Sequence, residues 1–416
     1  MINSVKRPPK KSLKESPKES PGIEKKSYSK ISYAVFGIGL IISLISLIAV
    51  VFPAWMSVST VPNGFERMGL EINRPDMYET GSLAGLLIFS NAIVFGLYIF
   101  RKKIPKISKI FSIDIPQKVS LVIVFVIIIA YGAISFSEVY TGEKYQDWNP
   151  VKVAVDEWNV SEIDDINPHV RFFLLQQSMI LFGSYKIIPL LFSMALLGMT
   201  YLFTTSITKN RFSGLVAMGL VLQSYTFLTY DTSSTYTNFW IFFYLLSLYA
   251  VVKVWFTNPI FYVVSIFSKA ITALFAPMSI FFILSSDITK KQKVVLSGII
   301  LAMVIVGGVS LYSVGTMNEE IKVHEFWVGF SSFAFQMRMD VITVLFLVPL
   351  MFGLFIKSKN NRYSNSISIL LTGILFSAPL LSGLTDQTNQ PYRFMPIIIF
   401  FAVGVGILFS KVNPKV

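Results

Sequence analysis

The sequence predicts an all-α polytopic membrane protein of about ten transmembrane helices, with a short hairpin and an interfacial helix besides. Composition is the first reason: 53% of the 416 residues are hydrophobic and only 14% charged, with a mean hydropathy of +0.63, well beyond a soluble domain of that length. Clustering is the second, because the apolar residues gather into runs near the length that crosses a bilayer core as a helix, whose backbone satisfies its own hydrogen bonds there. The third is charge, since the basic residues recur after every second run.

Ten runs are expected to be spans: 31–52, 82–100, 119–136, 187–204, 212–228, 239–254, 294–311, 341–356, 367–381 and 394–409. Residues 260–284 carry Lys269 near the middle and Pro277 beyond it, and both ends must return to one side for the other spans to alternate. They therefore read as two short helices or a re-entrant hairpin, with Lys269 expected at the inner leaflet. Residues 171–182 are apolar but too short to span and read as an interfacial helix.

Residues 1–30 hold nine Lys or Arg against three Glu, with Pro8, Pro9, Pro17 and Pro21 among them. Nothing there can build a core, so a disordered basic cytoplasmic tail is expected. Residues 31–118 form a two-span N-terminal extension with an outer loop bearing Glu66, Glu71, Asp76 and Glu79, and residues 119–416 form the transmembrane core. Further basic clusters at 101–118, Lys209 with Arg211, Lys290 to Lys293, and Lys357 to Arg362 fall on one side when ten spans alternate. By the positive-inside rule the chain is expected in the cell membrane, multi-pass, with both termini cytoplasmic.

The net charge of +13 is thus a topological signal directed at membrane lipids, and no nucleic-acid partner is expected. The chain contains no cysteine and only two histidines, His169 and His324. Thiolate, zinc-thiolate and three-histidine chemistries are excluded within it. No phosphate-cradling Gly-rich loop or dinucleotide fingerprint occurs. Proton transfer or metal binding would rest on carboxylates, which concentrate on the face opposite the basic loops: residues 137–170 hold eight Asp or Glu against two Lys. That acidic loop offers oxygen ligands suited to a divalent cation, without a fixed spacing that demands one. No metal ligand is assigned.

Several segments of the core carry a family resemblance. Phe136-Ser137-Glu138-Val139-Tyr140, directly after a span, resembles the Phe-Asp-Glu-x-x-Tyr opening of the first outer loop in the GT-C superfamily of glycosyltransferases, and most closely its protein mannosyltransferase-like branch. Asn167-Pro168-His169-Val170-Arg171-Phe172 resembles that family's His-Pro-Pro-Leu segment. Leu181-Phe182-Gly183-Ser184-Tyr185, Arg211-Phe212-Ser213-Gly214, Tyr230-Asp231-Thr232 and Tyr392-Arg393-Phe394-Met395-Pro396, preceded by Asp386, resemble later landmarks in order. The resemblance covers about 290 residues, from Val119 to Phe409. Where the family carries an acidic pair, this chain has Ser137-Glu138, which leaves one carboxylate.

The resemblance implies a GT-C-like fold and a membrane enzyme that moves a hexosyl or pentosyl group from a polyprenyl-phosphate sugar to a lipid, glycan or protein acceptor at the outer face. Transfer to a hydroxyl needs a carboxylate to take its proton. Glu138 is the first candidate, Asp147 the second, and Asp231 is expected to orient the acceptor. His169, Arg171, Tyr392 and Arg393 are the candidate donor-binding residues, since a guanidinium presents a fork of donors to phosphate oxygens. Interfacial anchoring competes as an explanation for His169, Arg171 and Arg393, a solvated loop for Glu138 and Asp147, and a plain turn for Asp231. The alternative functions are a secondary transporter, which would carry polar residues at mid-membrane, and a non-catalytic polytopic membrane protein.

Overall fold

The computed structural model describes residues 28–53, 78–100, 113–159, 168–313, 322–385 and 389–410. The basic tail before Tyr28, the stretch containing Glu66, Glu71 and Asp76, and Asp386 lie outside the described residues. Among the described residues every regular element is helical. The elements are α1 (Lys30–Val51), α2 (Ala84–Ile99), α3 (Gln117–Ser135), α4 (Trp148–Asp156), α5 (His169–Phe182), α6 (Ile187–Thr208), α7 (Arg211–Leu222), α8 (Tyr225–Tyr230), α9 (Phe239–Lys253), α10 (Asn258–Ser268), α11 (Ala276–Ser285), α12 (Lys290–Ser313), α13 (Val323–Gln336), α14 (Val341–Lys357), α15 (Tyr363–Leu384) and α16 (Met395–Leu408).

Five helices are long and apolar enough to cross a membrane, or six if α13 and α14 count as one span bent by 117°. The ten full-length spans expected from the sequence are not met by length. Each expected run does fall on a helix, but several are short. α2 has 16 residues, α9 has 15, and the 212–228 run is broken at Gln223 into α7 and α8. Helix-capping chemistry explains that break: Ser224 leaves helical geometry, and its hydroxyl accepts from the Phe227 amide, so a new helix starts there.

Charge sorts the bundle into two ends. At one end the Asn210 amide donates to the Phe409 carbonyl at 2.9 Å, Lys357 to the Ser410 carbonyl at 2.9 Å, and Arg362 pairs with Asp287. Tyr28 stacks on Phe355 beside Lys359, so the first and last described residues share this basic end. At the other end α3, α6, α8, α9 and α16 meet. Lys186, at the start of α6, donates to the carbonyls of Glu138 and Gly142 after α3, and the Ser193 hydroxyl donates to the Asp231 carbonyl at 2.8 Å.

Close helix approach needs small residues. At Gly329 a Cβ would stand 2.3 Å from the Pro379 backbone, so α13 and α15 touch only because glycine is there. α5 has 14 residues and is about 21 Å long, short of a span as expected. It stops at Gly183, whose φ of +68° is the left-handed geometry that suits glycine. α4, inside the acidic loop, packs on α5 through a small core of Val155, Phe172 and Leu175 with Ile188 and Phe239. That core ties the acidic loop to the membrane helices.

Residues 260–284 form α10, a 3-10 turn at Ala270–Phe275 and α11, a hairpin of two short helices. The hairpin form agrees with expectation, but the position of Lys269 does not. Its tip is sewn to the start of α9 by the Ser265 hydroxyl donating to the Trp240 carbonyl at 2.6 Å. Lys269 therefore sits at the acidic-loop end of the bundle and not at the basic end.

Candidate functional site

Asp231 terminates α8 and is 2% exposed. Its Oδ2 accepts from the Tyr131 hydroxyl at 2.8 Å and the Ser135 hydroxyl at 2.9 Å, both from the last turns of α3. Its Oδ1 is buried and has no hydrogen-bond partner. Burial raises its pKa above the ordinary carboxylate value, the Tyr131 and Ser135 hydrogen bonds oppose that rise, the nearby charge of Glu138 adds to it, and the approach of the Thr232 amide, outside hydrogen-bond geometry, opposes it slightly. A buried carboxylate with one oxygen held and the other unengaged is built to accept a proton or a hydrogen bond.

The other acids surround the loop that follows Asp231. Thr232 donates to Glu138 Oε2 at 3.5 Å, and that oxygen also lies 3.6 Å from Lys144 Nζ. The Glu138 side chain is 44% exposed, so this ion pair is worth little. Glu143 accepts from the Ser233 hydroxyl at 3.1 Å and the Ser234 amide at 2.9 Å. Asp147 accepts from the Tyr236 hydroxyl. Burial comes first, and the Asp147 bond second, in raising the Tyr236 pKa. Residues 231–236 are thus held by three carboxylates of the acidic loop.

Beyond that loop lies a recess of cations. Arg171 reaches from the first turn of α5 to donate to the Ser234 carbonyl at 3.3 Å and to the Thr235 carbonyl at 2.5 Å, while its Nε is buried with no hydrogen-bond partner. Lys269 Nζ stands 3.6 Å over the Tyr392 ring and 5.5 Å from the Trp240 ring. Tyr392 stacks on Tyr236 with centroids 4.2 Å apart and accepts from Arg393 Nε at 3.2 Å. Burial lowers the Arg171 pKa to about 10, against the opposing influence of Tyr392, Tyr236 and Glu143. Burial, then the charges of Arg393 and Arg171, draw the Lys269 pKa well down. Each of the three residues keeps some accessible area, although Arg171 Nε and Arg393 Nη1 are themselves buried.

The sequence candidates therefore converge. Glu138 meets Thr232 beside Asp231, Asp147 joins Tyr236, and Tyr236 stacks on Tyr392 next to Arg393. His169 is the member least available to a ligand: it is buried, and its Nδ1 accepts from the Trp158 indole at 3.1 Å, which pins α5 to the end of the acidic loop. Lys269, Glu143, Tyr131 and Ser135 were not foreseen. A lone lysine inside an apolar run was a signal for the first; Tyr131 and Ser135, four apart on the last turns of a span, share a helix face, which only a partner such as Asp231 makes meaningful. Among the described residues no group of three or more His, Asp or Glu gathers in a metal-holding arrangement.

A second buried carboxylate sits where two helices break. Asp340, before α14, accepts from the Ser224 hydroxyl at 2.6 Å and from the Thr226 amide and hydroxyl at the start of α8. It lines a cavity of about 130 Å³ with Gln223, Thr343, Ile398 and Phe401.

No protein-family model matches the chain, and neither a curated protein nor a solved structure does.

Proposed function

We propose that this chain is a membrane glycosyltransferase that moves a sugar from a polyprenyl-phosphate carrier to a hydroxyl acceptor at the acidic-loop end of its bundle. The observation that carries this reading is that a buried carboxylate with an oxygen free of hydrogen bonds, Asp231 Oδ1, and three basic side chains, Arg171, Lys269 and Arg393, border the same 231–236 loop and the Tyr392 ring stacked on it. A lipid-borne phosphate ester needs the cations, and an acceptor hydroxyl needs the carboxylate. We assign the basic end to the cytoplasm by the positive-inside rule, which leaves the site on the opposite face of the cell membrane.

In this scheme Asp231 Oδ1 takes the acceptor hydroxyl's proton, and the acceptor oxygen bonds to the anomeric carbon. The bond from that carbon to the phosphate oxygen breaks, and its electron pair stays on the phosphate, so a diester monoanion becomes a monoester dianion. Asp231 is better suited to the proton than Glu138 or Asp147. Its burial raises its proton affinity, whereas Glu138 is exposed beside Lys144 and Asp147 is engaged by Tyr236. Glu138, Glu143 and Asp147 position the 231–236 loop.

The test is sugar transfer from a panel of radiolabelled polyprenyl-phosphate sugars by purified protein in lipid. Asp231→Asn is expected to lower turnover by about 100-fold or more, the usual effect of losing a general base. Turnover that survives in folded Asp231→Asn protein would remove Asp231 from this role. One observation favours a second reading, transport: Asp340 and its cavity lie inside the bundle at the α7–α8 break, as a substrate site in a broken-helix transporter would. Uptake into vesicles that is abolished by Asp340→Asn, together with no transfer from any donor, would favour it.

A further inference from the structure

We propose that the cavity beside Asp340 is a binding site for a primary ammonium group on a short carbon stem, with Asp340 as its charge partner and Thr343 as a further hydrogen-bond acceptor; the site stands apart from the transferase reading. Charge is the first reason. Asp340 is 5% exposed and forms no ion pair among the described residues. The Ser224 hydroxyl and the Thr226 amide and hydroxyl all donate to it, which stabilises a carboxylate but brings it no opposite charge. A carboxylate offers about four acceptor positions, so three donors leave one free. Capping the start of α8 explains the engaged positions. It does not explain the cavity that Asp340 also lines.

That cavity, of about 130 Å³, is also lined by Thr343 and Gln223. Thr343 follows Asp340 by three residues, hence on the same side of α14, and is equally buried. Neither its hydroxyl nor the Gln223 side-chain amide forms a hydrogen bond among the described residues. A buried hydroxyl left unpaired is costly, so a partner inside the cavity is favoured. Size and walls narrow the choice. A cavity of about 150 Å³ accommodates benzene, so this one accommodates roughly six heavy atoms, far more than a bare metal ion fills. Ile398 and Phe401 form a wall buried in the bundle, while the exposed Met339 and Ile342 mark the open side. A hydrated ion would lose hydrogen bonds against such apolar walls. A primary ammonium can direct its charge and N–H donors to Asp340 and Thr343 and its carbons to Ile398 and Phe401. The apolar mouth also admits the headgroup of an aminophospholipid, whose ammonium has the same chemistry as a free alkylamine. α8 has six residues and is about 9 Å long, which separates this site from Asp231 at the other end of that helix.

The experiment is calorimetric titration of the full chain in phosphatidylcholine nanodiscs, whose lipid has no N–H donor on its headgroup nitrogen. The probes are butylamine, 1-butanol and sodium chloride at about pH 8, where an alkylamine is protonated because its pKa lies near that of lysine. Butylamine is expected to bind at least about tenfold tighter than 1-butanol. Asp340→Asn is expected to erase that preference. Thr343→Val, which keeps the side chain's shape and removes only an unpaired hydroxyl, is expected to weaken butylamine about threefold or more while the protein stays folded. Doping the discs with phosphatidylethanolamine separates the two sources. Butylamine binding that is then lost would support the site and assign it to a lipid headgroup; binding left intact would support it and assign it to a free amine. Equal affinity for butylamine and butanol, butylamine affinity unchanged in both variants, or sodium binding in butylamine's place would overturn the proposal. Should Asp340→Asn fail to fold, unchanged affinity in Thr343→Val overturns it alone. Sugar transfer is scored separately: its absence leaves this site standing, and absence of amine binding leaves the transferase reading standing.

Discussion

Asp231 is held by Tyr131 and Ser135 on one oxygen and left unengaged on the other, and its behaviour with pH follows from that environment. The folded state raises its pKa, so between the ordinary carboxylate value and the raised one the native protein holds a proton that the unfolded chain has released. Stability from this group is therefore greatest at low pH and declines as pH rises through that window. In the proposed transfer, activity runs the opposite way, because a general base acts ionised: turnover should fall on acidification at a pH above that of an unperturbed aspartate. A pH–rate profile measured beside a pH series of thermal unfolding checks both signs. Asp231→Asn should lose turnover without losing thermal stability, since the amide keeps an acceptor for Tyr131 and removes the cost of a buried charge. At Tyr236, replacement by Phe removes the hydroxyl that donates to Asp147 and leaves the stack on Tyr392. That hydrogen bond is exposed, so its loss should cost little stability, and a looser 231–236 loop is expected to lower kcat/KM by about threefold, read from initial rates with little change in melting temperature. Positions at this scale were partly legible. Arg393 was singled out because a cation that begins an apolar run on the acid-rich face is conspicuous, and Arg171 and Tyr392 because they lie in segments that carry the family resemblance. Lys269 was assigned to the wrong end because its position depends on which way a hairpin points, and no residue in 260–284 encodes that alone.

At the scale of elements, the short helix α8 connects two buried carboxylates: Asp340 receives its first turn, and Asp231 ends it. Asp340 accepts from the Ser224 hydroxyl and from both the amide and the hydroxyl of Thr226. Those groups become buried and unsatisfied if the carboxylate is removed. Asp340→Ala should destabilise the protein by about 3 kcal/mol, measured by thermal or denaturant unfolding in a fixed detergent, and should lower turnover by displacing Asp231. Asp340→Ala protein as stable as wild type would show that the α8 start finds water or another partner. The break itself was not legible, since 212–228 reads as one apolar run. The Ser224 cap and the Asp340 acceptor that stabilise the break are 116 residues apart. The shortness of α5 was legible: at 14 residues it is not among the helices long enough to cross a membrane.

Across the whole molecule the separation of charge is the feature that composition encoded best. Lys357, Arg362 and the residues beside Asn210 gather at the end that also holds Tyr28 and Ser410, whereas Asp231, Glu138, Glu143 and Asp147 gather at the other. Local charge counting predicts this because basic residues accumulate in the loops on one side of a polytopic chain. The number of spans was less legible, since hydropathy marks where apolar helices lie but not whether a helix is broken or tilted. The absence of cysteine from the chain makes the orientation simple to test. Single cysteines at Lys359 and Gly142 should react with an impermeant maleimide from opposite faces of intact cells, the Gly142 site from outside. Labelling of both from one face would contradict the two-ended arrangement.

The most direct measurement of the central claim is sugar transfer by wild-type, Asp231→Asn and Lys269→Met proteins, each purified in lipid with its fold verified by thermal unfolding. The account predicts transfer from a polyprenyl-phosphate sugar by wild type, a loss of about 100-fold or more in Asp231→Asn, and a Lys269→Met variant that still binds donor but turns over more slowly. Wild-type transfer left intact by both substitutions, or no transfer from any donor in membranes that contain native acceptors, would contradict it.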